Sequence, residues 1–212
     1  MELLTQISEA LQQGNEELVH QGTQQAIAEK IPPKKILDDG LIAGMNAIGE
    51  RFGRHEVFLP DVLMAAKAMV KGMEPLKPLL IRDDVPSLGK VVIGTVQGDL
   101  HDIGKNLVGI MLKGAGFEVV DLGKSVSPEK FIDAAVNENA EIIGMSALLT
   151  TTMSVMKKVT ELRKQKNLQG KIKIVVGGAP VTKEFATEIG ADGYAFDAAN
   201  SVACVKQLMG HA

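Results

Sequence analysis

What most constrains this 212-residue chain is a change of period near Lys90. Before it, apolar residues recur at helical spacing. Leu3, Leu4, Ile7, Ala10 and Leu11 make one stripe, and Ile36, Leu37, Leu41, Met45 and Ile48 another. After it, short β-branched runs at 91–96, 118–121, 142–146 and 172–176, with a weaker one at 193–195, alternate with helical stretches. Those stretches fall at about 104–115, 128–139, 152–166, 181–189 and 198–209. The segment IRDDVPSLG, 81–89, is charged, aperiodic and broken by Pro86 and Gly89, as a linker is.

Two domains follow, 1–88 and 89–212. In the first, Gly14 and Asn15 end a helix over 2–13, and a second covers about 15–30. Pro32 and Pro33 open a third, residues 53–59 form a loop, and Pro60 opens a fourth that ends near Leu76. Short connections make this an all-α, antiparallel four-helix bundle. The second domain is predicted as α/β, a doubly wound five-stranded parallel sheet of flavodoxin-like (Rossmann-like) order. In such sheets ligands bind beyond the carboxyl ends of the strands, where the strand order reverses.

Composition removes several functions. A formal net charge of −3, no basic run and 3% aromatic residues leave neither the charge nor the stacking surface of a nucleic-acid binder. One cysteine, Cys204, excludes a disulfide framework and an all-cysteine metal site, and suits a reducing compartment. The first residues lack a basic and apolar leader, and no apolar run is long enough to span a membrane. The expectation is a cytoplasmic protein.

Chemistry-bearing residues sit just after the predicted strands. The first is followed by Gly98-Asp99-Leu100-His101-Asp102-Ile103-Gly104, in which a carboxylate two residues from an imidazole can hold one ring nitrogen while the other faces a metal or substrate. Such a loop also occurs as plain structural polar chemistry. After the third strand come Ser146, Thr150, Thr151 and Thr152, four hydroxyls where a helix cap needs one. Gly177-Gly178 follows the fourth strand, either a simple turn or a bare floor for a flat ligand. Gly123-Lys124-Ser125 mimics the end of a P-loop, but Glu118 stands where its first glycine belongs. His20, His55 and His211 read as solvated surface residues, and Cys204 as a small buried hydrophobe.

Asp99-x-His101-x-x-Gly104, then Ser146-x-Leu148, then Gly177-Gly178, resembles the cobalamin-binding signature D-x-H-x-x-G…S-x-L…G-G. Residues 44–70 resemble the helical cap of methyl-transferring corrinoid proteins, including the matching module of cobalamin-dependent methionine synthase. The resemblance implies cobalamin, as methylcobalamin or a Co(I) corrinoid, bound base-off with His101 as the lower axial ligand of cobalt. It implies that Asp99 fixes the ring tautomer and that Thr152, where serine is commoner, completes a proton relay. Gly98, Leu100, Asp102, Gly104, Ser146, Leu148, Thr150, Gly177, Gly178 and Ala198 would line the corrin and its nucleotide tail. Phe58, Leu59 and Val62 would cap the upper face or belong to the bundle core.

The implied function is that of a methyl carrier without turnover of its own. It would take a methyl group from a donor-specific methyltransferase and pass it to an acceptor methyltransferase acting on tetrahydrofolate or a thiol coenzyme, with a reductive activase as further partner. The alternatives are the cobalamin subunit of an adenosylcobalamin mutase, a cobalamin-based sensor, and a flavodoxin-like module that has lost its cofactor.

Overall fold

The change of period at Lys90 is a change of architecture. The computed structural model describes residues 2–211, and the chain divides into two compact units, one up to Pro86 together with Gly114–Gly116, the other from Ser87 to Lys113 and from Phe117 onward.

The first unit is helical: α1 (Glu2–Gln12), α2 (Glu16–Ala28), α3 and α4 (Leu59–Arg82). Helix α3 runs through Pro33–Lys35, Ile36–Ile42 and Ala43–Gly53, and its middle segment is wound as a π-helix. Asn15 caps α2, its side chain accepting the Leu18 N–H at 3.1 Å. The apolar stripes meet as expected: Ile7, Leu11, Val19, Ile36, Leu41, Ile48 and Leu76 are fully buried together.

The fourth helix departs from the sequence expectation. It continues beyond Leu76 to Arg82, through Pro75 and Pro78, and takes up the start of the predicted linker. A proline inside a helix removes the donor that should reach the carbonyl four residues back. For Pro75 that carbonyl belongs to Lys71, and His20 Nδ1 lies 3.1 Å from it. A carbonyl only accepts, so the ring nitrogen donates. His20 therefore ties α2 to α4 and is more than a solvated surface residue. At the start of α4, Asp61 accepts the Phe58 N–H at 2.8 Å. The Phe58 ring is exposed, Leu59 half-buried and Val62 buried.

The second unit alternates β1 (Lys90–Thr95), α5 (Ile103–Gly114), β2 (Glu118–Asp121), α6 (Pro128–Asn137), β3 (Ile142–Ser146), α7 (Met153–Gln165), β4 (Lys173–Gly177), α8 (Lys183–Glu188), β5 (Gly193–Ala195) and α9 (Ala198–Met209). All strands are parallel, in the order β2-β1-β3-β4-β5. Helices on both faces explain why β1 and β3 read as nearly continuous apolar runs, with Val92, Ile143, Ile174, Phe131 and Met156 in the core. The edge strands β2 and β5 are short, which limits edge pairing with other chains. The order reverses between β1 and β3. In register, Thr95 pairs with Ser146, Ser146 with Gly177 and Gly177 with Ala195, so four strands end on one row.

At the opposite end of the sheet the buried Arg163 guanidinium donates to Ile172 O and Gly190 O at 3.0 Å each and pairs with the Asp192 carboxylate. Cys204 is only partly buried, and that burial pushes its thiol pKa up.

Candidate functional site

The site starts where β1 ends. Val96–Asp99 is a β-turn closed by the Asp99 N–H on Val96 O at 3.0 Å, and Gly98 at φ +84° makes it type II. The turn drives the Asp99 carboxylate inward, where it is fully buried. A buried carboxylate needs donors, and this one has five. Oδ1 accepts the His101 N–H at 3.0 Å and His101 Nδ1 at 2.7 Å. Oδ2 accepts the N–H groups of Leu148 and Leu149 at 2.7 and 3.1 Å, and faces Thr152 Oγ1 at 3.1 Å. Burial by itself pushes the Asp99 pKa up. The His101 and Leu148 N–H groups, the His101 ring and the Leu149 N–H outweigh it and hold the carboxyl well below the usual carboxylate range.

An ionised carboxylate only accepts, so His101 Nδ1 carries a proton, and Nε2 is the nitrogen whose lone pair the neutral ring would offer. The His101 side chain is 52% exposed, with its carbonyl held by Thr95 Oγ1 at 3.0 Å. The arrangement holds the ring by Nδ1 and leaves Nε2 as the available nitrogen. Thr152 Oγ1 also lies 2.8 Å from Leu149 O, so its single proton is shared between two acceptors.

The remaining sequence-derived residues fall around this core. Leu100, Leu148 and Thr150 are exposed, and Asp102 forms an ion pair with Lys124 at 3.6 Å. A Cβ added to Gly104 would meet nothing within 4 Å, whereas one on Gly178, at φ +124°, would lie 1.9 Å from Ala147 O. Gly178 is thus demanded by the fold and Gly104 is not. Ser146 and Gly177 share the row at the strand ends. Ala198 is buried at the start of α9, which Asp197 caps, so its methyl packs inward. Leu100, Leu148, Leu149 and Phe196 on the loops after β1, β3 and β5, and Ile103 at the start of α5, expose apolar side chains.

Sequence reasoning missed Thr95, Ser125 and Phe196. Ser125 accepts the Gly98 N–H at 3.1 Å, and its own N–H donates to Asp99 O at 3.1 Å. Its signal was in the rejected P-loop look-alike. Phe196 was an isolated aromatic in a chain with few.

Among the described residues no three His, Cys, Asp or Glu side chains are placed to hold a metal ion. A metal meeting His101 must bring most of its coordination sphere with it. A corrin does so. The exposed nitrogen, the apolar loops and the open side of Gly104 fit a large flat macrocycle.

The comparisons support a corrinoid cofactor. B12 binding domain families match residues 89–203 and 3–77. A dimethylamine corrinoid protein of Methanosarcina barkeri is 46% identical over 209 residues, 98% of this chain and 98% of the relative. The chain belongs to the B12-binding corrinoid proteins. Two solved structures resemble this corrinoid protein over its length. The methanol:cobalamin methyltransferase complex MtaBC from Methanosarcina barkeri matches at TM-score 0.86 and 32% identity, over 100% of this chain and 81% of that one. A cobalamin-binding protein from Desulfitobacterium hafniense DCB-2 matches at 0.81 and 30%, over 97% and 98%. Among the described residues no helix is long and apolar enough to cross a membrane.

Proposed function

We propose that this corrinoid protein carries methyl groups between methyltransferases, with its cobalamin base-off and His101 Nε2 as the axial nitrogen on cobalt. When bound, the corrinoid supplies the metal atom that accepts and gives up the methyl group. The observation that carries the reading is the five-donor carboxylate of Asp99, which holds His101 by Nδ1 and leaves Nε2 as the nitrogen available to a metal.

Each residue then has a task. His101 donates its lone pair, and Asp99 keeps the proton on Nδ1 and the ring plane fixed. Thr152 buffers that carboxylate, because its hydroxyl turns either to Asp99 Oδ2 or to Leu149 O. Gly98, Gly104, Leu100, Leu148 and Thr150 form the floor under the macrocycle. Asp102 would contribute through its pairing with Lys124. Ser146, Gly177 and Gly178 offer a narrow, small-residue path along the strand ends for the nucleotide tail, with the backbone of Ala198 beside β5.

Similarity of both halves to methylamine corrinoid proteins favours the carrier over a mutase subunit or a sensor. The partners are a donor-specific methyltransferase, an acceptor methyltransferase acting on tetrahydrofolate or a thiol coenzyme, and a reductive activase; the compartment is the cytoplasm. The test is anaerobic reconstitution of the wild type and His101→Ala with hydroxocobalamin. The wild type is expected to keep stoichiometric corrinoid through gel filtration with a spectrum typical of an axial imidazole. His101→Ala should lose that spectrum and slow methyl turnover with partner enzymes. Equal spectra and rates would refute the ligand assignment.

A further inference from the structure

Apart from Lys124, which pairs with Asp102, the loop after β2 takes no part in the function just described, yet it grips the His101 loop from the side opposite β3. Beyond the last residue of β2 the chain keeps pairing with β1's continuation: Thr95 N–H reaches Gly123 O at 3.0 Å, Val126 N–H reaches Thr95 O at 2.9 Å, and Val96 bridges Val126. Ser125 then holds the type II turn at two points, its hydroxyl accepting the Gly98 N–H and its N–H donating to Asp99 O, both at 3.1 Å. To do so Ser125 adopts φ +52°, a left-handed backbone that L side chains rarely enter without a reason. The start of this rail is anchored as well. The buried Lys105 amine donates to Asp121 Oδ1 at 2.6 Å, and the same oxygen accepts the Gly123 N–H at 2.9 Å. Lys105 lies in the first turns of α5, immediately after the His101 loop, so the rail is tied to both ends of that loop.

We propose that Ser125 is a positioning residue for His101: its hydroxyl holds the central peptide of the Val96–Asp99 turn and thereby fixes the carboxylate that aims the ring. The Gly98 N–H belongs to the peptide that rotates when a type II turn flips to type I. Held by Ser125, that peptide keeps Gly98 at positive φ and keeps the Asp99 side chain directed at His101 Nδ1. Released, it adds a second turn geometry in which the carboxylate approaches the ring at another angle, and Nε2 is correctly aimed for only part of the time. The proposal rests on His101 being the axial ligand, and the experiment separates the two.

Ser125→Gly removes the hydroxyl while adopting left-handed backbone without strain, so the fold is kept. Protein labelled with nitrogen-15 is loaded with unlabelled hydroxocobalamin, reduced to the Co(II) state and measured by electron paramagnetic resonance. A labelled protein nitrogen on cobalt splits each line into a doublet, whereas the cofactor's own base gives a triplet. The wild type is expected to show the doublet. Ser125→Gly, with unchanged corrinoid stoichiometry and Tm, should show a ratio of ligated to unligated cobalt lower by about threefold to tenfold, the size expected for one exposed hydrogen bond. In the cofactor-free protein the Gly98 amide should exchange with solvent faster by about the same factor. An unchanged ratio in Ser125→Gly, with the doublet lost in His101→Ala, overturns the positioning role. A doublet that survives in His101→Ala overturns the ligand assignment and the positioning role with it.

Discussion

Replacing Asp99 with Asn tests the reasoning most sharply, because the shape is kept and the pattern of donors is reversed on one side. Oδ2 faces three donors, Leu148 N, Leu149 N and Thr152 Oγ1, so the amide oxygen of Asn will take that position. Its NH2 then points at the His101 N–H and ring, which Oδ1 now accepts at 3.0 and 2.7 Å. The ring escapes the clash by becoming the acceptor, moving its proton from Nδ1 to Nε2. The backbone N–H of His101 has no such escape. One unsatisfied buried N–H costs about 1–3 kcal/mol, and the remaining bonds lose their charge assistance, for a total of about 2–4 kcal/mol. Urea unfolding of the cofactor-free protein measures the stability, and nitrogen-15 spectra of the His101 ring report the tautomer. The pH dependence has a definite sign. The folded-state pKa of Asp99 lies below its unfolded value, so its contribution is complete above about pH 4 and is lost as pH falls further, a loss that Asp99→Asn should not show. A variant that keeps Nδ1 protonated and loses less than about 1 kcal/mol refutes the five-donor account.

Four further outcomes are expected. His20→Leu leaves the Lys71 carbonyl to solvent and should cost about 0.5–1 kcal/mol in urea titration, and Pro75→Ala, which restores the missing N–H, should remove the penalty in the double variant. Arg163→Met strands the Asp192 carboxylate and two carbonyls, for a loss of about 3–5 kcal/mol by chemical denaturation, and adding Asp192→Leu should recover part of it. Gly178→Ala should prevent stable folding, because its Cβ would meet a carbonyl oxygen at 1.9 Å. Gly104→Ala should raise thermal stability slightly, by about 0.5–1 kcal/mol, while weakening corrinoid binding in equilibrium dialysis.

Legibility in the sequence followed the range of the interaction. The five strands and their order were readable because β-branched runs such as Val91, Val92 and Ile93 are local, and Asp99 and His101 were readable because two residues on one loop carry the motif. The end of α4 was not, because the Lys71 carbonyl that Pro75 leaves without its helical donor is taken up by His20, 51 positions from Lys71. Two of the five Asp99 donors were hidden for a different reason: Leu148 and Leu149 contribute backbone N–H groups, which no side-chain identity announces. Ser125 was hidden because its role depends on a backbone angle and a neighbouring strand, whereas its local motif suggested phosphate binding.

The bonds that Asp99 makes to Leu148, Leu149 and Thr152 span 49 to 53 residues of chain and join the segments that follow two adjacent strands, β1 and β3. During assembly of the sheet they can close only after those strands have zipped to the end. A one-residue slip of β3 would turn its side chains to the wrong faces and also carry both N–H groups away from a carboxylate already sealed from water. Misaligned sheets are thus penalised by an unsatisfied charge in addition to poor packing. The residue that orients the histidine also proofreads the register of the two central strands, so selection on one property acts on the other.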